Sequence, residues 1–130
     1  MADELQPVYL IAGSDRPKVD RAVARLRARF EPDAVELHDA AATSGDDAVA
    51  ACNALGLFGA GTRVVVVEGV EAWKAVDVKA LAVYLKSPAP GTTLALVAGE
   101  LKKDAPLAKA VTGHGSVLLW DVTEIGRAHV

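Results

Sequence analysis

The sequence predicts a three-layer α/β domain, a mostly parallel five-stranded sheet with helices on both faces. Three observations predict it. Five short segments rich in β-branched or large aliphatic residues recur along the chain: "VYLIA" (8–12), "AVELH" (34–38), "RVVVVE" (63–68), "TLALVA" (93–98) and "VLLWDV" (117–122). Three of these show almost no polar alternation, and a strand that is apolar on both faces must be covered on both, as parallel strands are. Helical patterns fill the gaps, and strands alternating with helices at this spacing are the mark of βαβ units. The 130 residues, 52% of them hydrophobic, suffice for one such domain with its own core and not for two.

Taken in order, the first gap predicts a helix over residues 17–30. Val19, Ala22, Val23, Leu26 and Phe30 share one helical face there, while Lys18, Arg21, Arg25 and Arg29 line another. Pro17 suits the first turn, where its missing N–H would have had no helical partner. The basic stripe reads either as a solvated surface or as a contact for phosphate or acidic protein. A second helix is predicted over residues 46–55, with Asp46 and Asp47 at its positive end. Gly56 would stop it near a C-terminal cap, and Gly59 and Gly61 would supply loop freedom. A third helix, 76–86, ends at "KSPAPG", because the residue before a proline is pushed out of the helical region. A short fourth helix opens near Asp104 and stops at "TGHG".

Composition narrows the function classes. The formal net charge is −3, the wrong sign for gripping nucleic acid with the whole surface, so any such role is local or indirect. Cys52 is the single cysteine, which excludes an internal disulfide and a CxxC metal pair and leaves a small buried hydrophobe. "MADELQPV" lacks the layout of a secretory signal, and no apolar run approaches the roughly 20 residues of a membrane helix, so a cytoplasmic protein with no membrane partner is expected. Residues 124–130 read as a non-native tail. Within them "IGRAHV" back-translates in frame to ATC GGA AGA GCA CAC GTC, a common sequencing-adapter oligonucleotide, so the domain is expected to occupy residues 1–123.

A strand, a glycine and a helix opening at "YLIAGSDRPKVDRA" stand where a phosphate-binding loop would sit, around Gly13, Ser14, Asp15 and Lys18. The P-loop pattern needs a second glycine five positions on, then Lys, then Ser or Thr. Here Lys18 has Pro17 before it and Val19 after it, so the magnesium-holding hydroxyl is missing and one amide is lost from the cradle. The run "GLFGAG" has the spacing GxxGxG and follows a helix, which is the wrong context for a dinucleotide fingerprint. Nothing orders His38, His114 or His129 into a catalytic triad. Asp46 and Asp47 are better explained as a helix start than as metal ligands, and Trp73 and Trp120 as packing residues. No catalytic residue, metal or cofactor is expected. Leu57 and Phe58, side by side among three glycines, either pack back onto the domain or face a partner.

These ordered segments resemble the N-terminal domain of the delta subunit of the bacterial DNA polymerase III clamp loader. The resemblance runs from about Pro7 to Val122 and is carried by "VYLIAGSD", "ALGLFGAGTRVVVVEG", "LAVYLKSPAPGTTLALVAGELKKDAPLAKAV" and "GSVLLWDV". It implies a P-loop-NTPase or AAA+-like domain that lacks a functional P-loop, agreeing with the broken pattern at Gly13 to Val19. It implies that the domain binds and opens the sliding clamp (the beta subunit) in DNA replication, as part of a nucleotidyltransferase holoenzyme. The clamp-binding residues it implies are Leu57 and Phe58, with Leu55 at a neighbouring apolar anchor position. Other clamp-loader subunits would be partners of the full-length protein, DNA would be met only through the complex, and the family's lid and collar domains would be absent here. Two other readings fit the βα alternation: an active P-loop-like nucleotide-binding domain or NTPase, and a receiver or flavodoxin-like domain. Against the receiver, "RVVVVEG" offers Glu68 but no phosphoacceptor aspartate.

Overall fold

Parallel strands and covering helices alternate along the chain. The computed structural model describes residues 5–58 and 62–121, without the side chains of residues 55–58. The elements are β1 (Val8–Ala12), α1 (Arg16–Arg27), β2 (Val35–Asp39), α2 (Gly45–Phe58), β3 (Arg63–Glu68), α3 (Ala75–Leu85), β4 (Thr92–Val97), α4 (Pro106–Val111) and β5 (Ser116–Leu119). Single 3₁₀ turns at Pro32–Ala34 and Val70–Ala72 lead into β2 and α3. The strands form one sheet in the order β2-β3-β4-β1-β5, and every pair is parallel. The sheet expected to be mostly parallel is therefore wholly so.

Handedness explains which helix covers which face. The connections β2 to β3, β3 to β4 and β4 to β5 all advance one way across the sheet, whereas β1 to β2 runs the other way. Because parallel crossovers are right-handed, α2, α3 and α4 must share one face and α1 must take the other. Side chains follow the same division. On β1, Val8, Leu10 and Ala12 join Val65, Val67, Leu94 and Leu96 under Ala48, Cys52, Leu81, Leu85 and Leu107 of the three-helix face. The alternate residues Tyr9 and Ile11 join Val64, Val66, Ala95 and Val97 under Val19, Ala22, Val23 and Leu26 of α1. Each central strand thus feeds two cores, which is why its sequence shows no polar alternation.

Boundaries differ from the sequence expectation where local chemistry overrides pattern. Helix α1 stops at Arg27 rather than at residue 30, and Phe30 reaches the core through a tighter turn in which its N–H donates to the Arg27 carbonyl at 3.0 Å. Helix α2 is longer than expected. Its start is fixed by a reciprocal cap in which the Asp47 N–H donates to Ser44 Oγ at 3.0 Å and the Ser44 N–H to Asp47 Oδ2 at 3.2 Å. Its end lies at Phe58, so Gly56 sits inside the last turn and does not cap it. A helical glycine costs only about 1 kcal/mol, which the packing of the helix on α3 and the sheet offsets. The last strand ends at Leu119; Val122 and the tail 124–130 lie outside the described residues.

The strand order also corrects one alternative. A receiver or flavodoxin-like domain has the order 2-1-3-4-5. Here β1 lies between β4 and β5, and that reading is excluded.

Candidate functional site

In an open parallel sheet, the place for a ligand is beyond the C-terminal ends of two neighbouring strands whose connections leave in opposite directions. Those strands are β4 and β1, so Gly13, Ser14, Asp15 and Lys18 stand at that switch point. Their amides are already engaged. The Gly13 N–H donates to the Gly99 carbonyl at 2.8 Å, and the Asp15 N–H to the Trp120 carbonyl at 2.9 Å. The Ser14 N–H donates to Asp121 Oδ1 at 2.9 Å, and the Lys18 N–H to Asp15 Oδ1 at 3.4 Å. The Arg16 N–H is turned to the Ser14 carbonyl and the Val19 N–H to that of Asp15, both at 3.0 Å, while Pro17 has none to give.

The side chains reinforce this closure. A phosphate-binding helix start presents bare amides to an anion, whereas here two carboxylates, Asp15 and Asp121, accept from them. Lys18 Nζ lies 4.0 Å from Asp15 Oδ2, and Arg16 pairs with Asp20 at 2.9 Å and Glu68 at 3.4 Å. Gly13 has φ +143°, and a Cβ placed on it would lie 1.7 Å from the Trp120 carbonyl oxygen. The chain leaving β5 is packed directly on the loop. Residues 120 and 121 were not legible as part of this site, because they are more than a hundred positions from Ser14 and only the placement of β5 beside β1 brings them in.

The other candidate segment is at the opposite end of the sheet. Helix α2 runs from the C-terminal end of β2 towards the N-terminal end of β3, so its last turn, holding Leu55, Leu57 and Phe58, lies at the foot of the strands. Their side chains fall outside the described residues, as do Gly59 to Gly61. At the same end of the sheet a groove of about 470 Å³ opens between Leu5, Pro7, Thr62, Pro88, Pro90 and Thr93. Arg63, half-buried at the start of β3, has a buried Nε with no hydrogen-bond partner among the described residues.

The remaining chemistry-bearing residues serve the fold. His38 Nε2 contacts Glu36, and His38 Nδ1 lies 3.5 Å from Thr43 Oγ1, a sequence of groups that resembles a triad. Thr43 is buried, however, and its carbonyl accepts from Trp73 Nε1 at 2.9 Å, so the trio ties β2 to the start of α2. His114 lies in the turn after α4 and His129 outside the described residues. Cys52 is fully buried, and burial pushes its thiol up to about 12 despite a hydrogen bond with Tyr84. Such a thiol is a packing group and not a nucleophile. Asp47 is used in the α2 cap, and no group of three or more His, Cys, Asp or Glu converges among the described residues. Among the described residues no helix is long and apolar enough to cross a membrane.

No family model and no curated protein matches the chain. Solved structures do. The Bacillus subtilis DNA clamp loader delta protein aligns over 97% of this chain with a TM-score of 0.77 and 23% identity. A DNA polymerase III gamma subunit-related protein from Thermotoga maritima aligns over 98% with a TM-score of 0.63 and 14% identity. The RuvB A156S mutant from the same organism aligns over 90% with a TM-score of 0.53 and 13% identity. At these identities the likeness is one of fold: the chain shares with these structures an α/β architecture, here a five-stranded all-parallel sheet with helices on both faces. It spans 41%, 45% and 38% of those three chains respectively.

Proposed function

We propose that this chain is the clamp-contacting domain of a clamp-loader delta-type subunit. In this reading it docks on a ring-shaped sliding clamp through Leu57 and Phe58, with Leu55 as a neighbouring anchor, and does so without binding nucleotide. The observation that carries the reading is the likeness of fold to a DNA clamp loader delta protein along 97% of the chain. Two features support it. The switch-point loop spends its amides on the protein itself, so nucleotide chemistry has no cradle there. An adjacent Leu-Phe pair stands in the last turn of a helix, at the foot of the sheet, and apolar anchors of this kind typically dominate an interface. Clamp opening then requires that the bound state favour the open ring over the closed one. Entry into a complete loader, contact with its other subunits and approach to DNA would depend on the further lid and collar domains of such a subunit.

The test is a titration of the chain against the cognate sliding clamp. Replacing both residues, Leu57→Ala with Phe58→Ala, should weaken binding by at least about 2 kcal/mol, close to 30-fold in Kd. The thermal midpoint should move little. Equal affinity of the double variant and the parent would overturn the assignment of the contact, and absence of binding by the parent would overturn the function.

A further inference from the structure

The basic stripe of α1 has no role in the clamp reading, and the fold places it beside an unguarded edge. Strand β5 is an outer strand of the sheet, and among the described residues nothing pairs with its free side. Its residues, Ser116, Val117, Leu118 and Leu119, carry no charge and no proline, the usual devices that keep an edge from recruiting another strand. Between this edge and α1 lies a groove of about 150 Å³. Tyr9, Ile11, Leu26, Leu118 and Trp120 form its apolar floor, and Arg25 and Arg29 stand at its rim. Lys18 and Arg21 continue the same line of cations towards the helix start. Arg21 and Arg25 are exposed and make no ion pair among the described residues, although the chain as a whole is acidic.

We infer that the α1–β5 groove is a docking site for an extended, acidic peptide segment of another protein, which adds as a strand to the free edge of β5. Three complementarities select that occupant. The free strand edge supplies backbone donors and acceptors for an extended chain. The floor is small and apolar, sized for one or two aliphatic side chains on one face of that strand. The cations rim the same α1 face of the sheet as the floor, so a carboxylate two residues along the added strand from the apolar contact, on the same side of it, can meet them. Nucleic acid is disfavoured, since a polyanion longer than the stripe would run onto a surface of net negative charge.

The probe is a fluorescein-labelled eight-residue peptide carrying Val and Glu in turn on one face of the strand and Thr at every other position, titrated by anisotropy against the whole chain at moderate salt. Saturable binding is expected, with slowed amide exchange at Ser116 to Leu119. The pair Arg21→Glu and Arg25→Glu should weaken it at least tenfold, and Arg25→Glu alone should weaken it less in the same direction. Both variants should melt like the parent, since these side chains are exposed. A peptide of the same charge with proline in place of each Val should bind at least tenfold more weakly. No saturable binding, or binding insensitive to the charge reversals, would overturn the inference. Tighter, stripe-dependent binding of oligo-dT would overturn it in favour of nucleic acid, and protection of β5 through self-association at rising protein concentration in favour of a second copy.

Discussion

Cys52 and Tyr84 meet in the core beneath α2 and α3, and both are neutral for the same reason: burial disfavours their charged forms. The thiol is raised from an ordinary value of 9.0 to about 12, and the phenol is also raised. An unfolded chain would release the thiol proton near pH 9 while the folded chain holds it to about 12. Stability contributed by the protonated thiol is therefore fully present below pH 9 and is lost as pH rises through that window. Urea midpoints measured between pH 7 and 11 should be flat at first and then fall, and Cys52→Ala should flatten the fall. Reaction with a thiol reagent at pH 8 should proceed only after denaturant is added. Gly13 is the other residue whose identity is dictated by position. Alanine there would meet the Trp120 carbonyl in a backbone conformation that side chains rarely adopt, so Gly13→Ala should lose about 2 kcal/mol or more in urea unfolding. A loss below about 0.5 kcal/mol would show that the β5 exit does not press on the loop.

Helix junctions show what patterns along a chain can and cannot reveal. The strand RVVVVE was legible to the residue, since its length, β-branching and lack of alternation agree. Helix ends were less so. Helix α2 runs on through Gly56, and the helix as a whole packs against α3, a partner that no local signal names. Asp77 is a clearer case still. In the sequence it is one acid among several, but in the fold its Oδ1 accepts from the Gly45 N–H at 2.8 Å and its Oδ2 from the Lys74 N–H at 2.9 Å. It caps α3 and ties that helix to the start of α2. The approach is close enough that a Cβ on Gly45 would lie 2.4 Å from the Asp77 carbonyl oxygen. The two N–H donors, that of Gly45 first, hold the Asp77 carboxyl below its ordinary 3.8. Its contribution is thus present above that value and is lost as pH falls through the lower, folded one. Asp77→Ala should cost about 1 to 2 kcal/mol at pH 7. The difference from the parent should shrink as pH drops below 3.8, and a difference constant with pH would remove the carboxylate from the explanation.

At the scale of the whole molecule, the two candidate sites occupy opposite ends of one parallel sheet, and their contrast bears on function. The switch-point end, where an open parallel sheet would take a ligand, is sealed by the exit of β5, through Trp120 and Asp121. The missing glycine, hydroxyl and amide were legible in "GSDRPKV", but the seal was not, because it depends on strand order. The opposite end holds the Leu-Phe turn of α2 and the groove between Pro7, Thr62 and Pro90. The amides that phosphate would satisfy at the first end are satisfied by the chain, so the frame stands without a ligand there and still presents the second end. Nucleotide should then have no hold on stability. A ligand present at a hundred times its Kd would stabilise the fold by roughly 2.7 kcal/mol, a shift of several degrees in Tm for a domain of this size. Millimolar ATP with magnesium should move the Tm by less than about 1 °C, whereas on the proposed clamp-binding reading saturating sliding clamp should raise it by several degrees. A nucleotide-dependent rise of that larger size would mean that Trp120 and Asp121 can be displaced from the loop, and would return the switch point to the list of working sites.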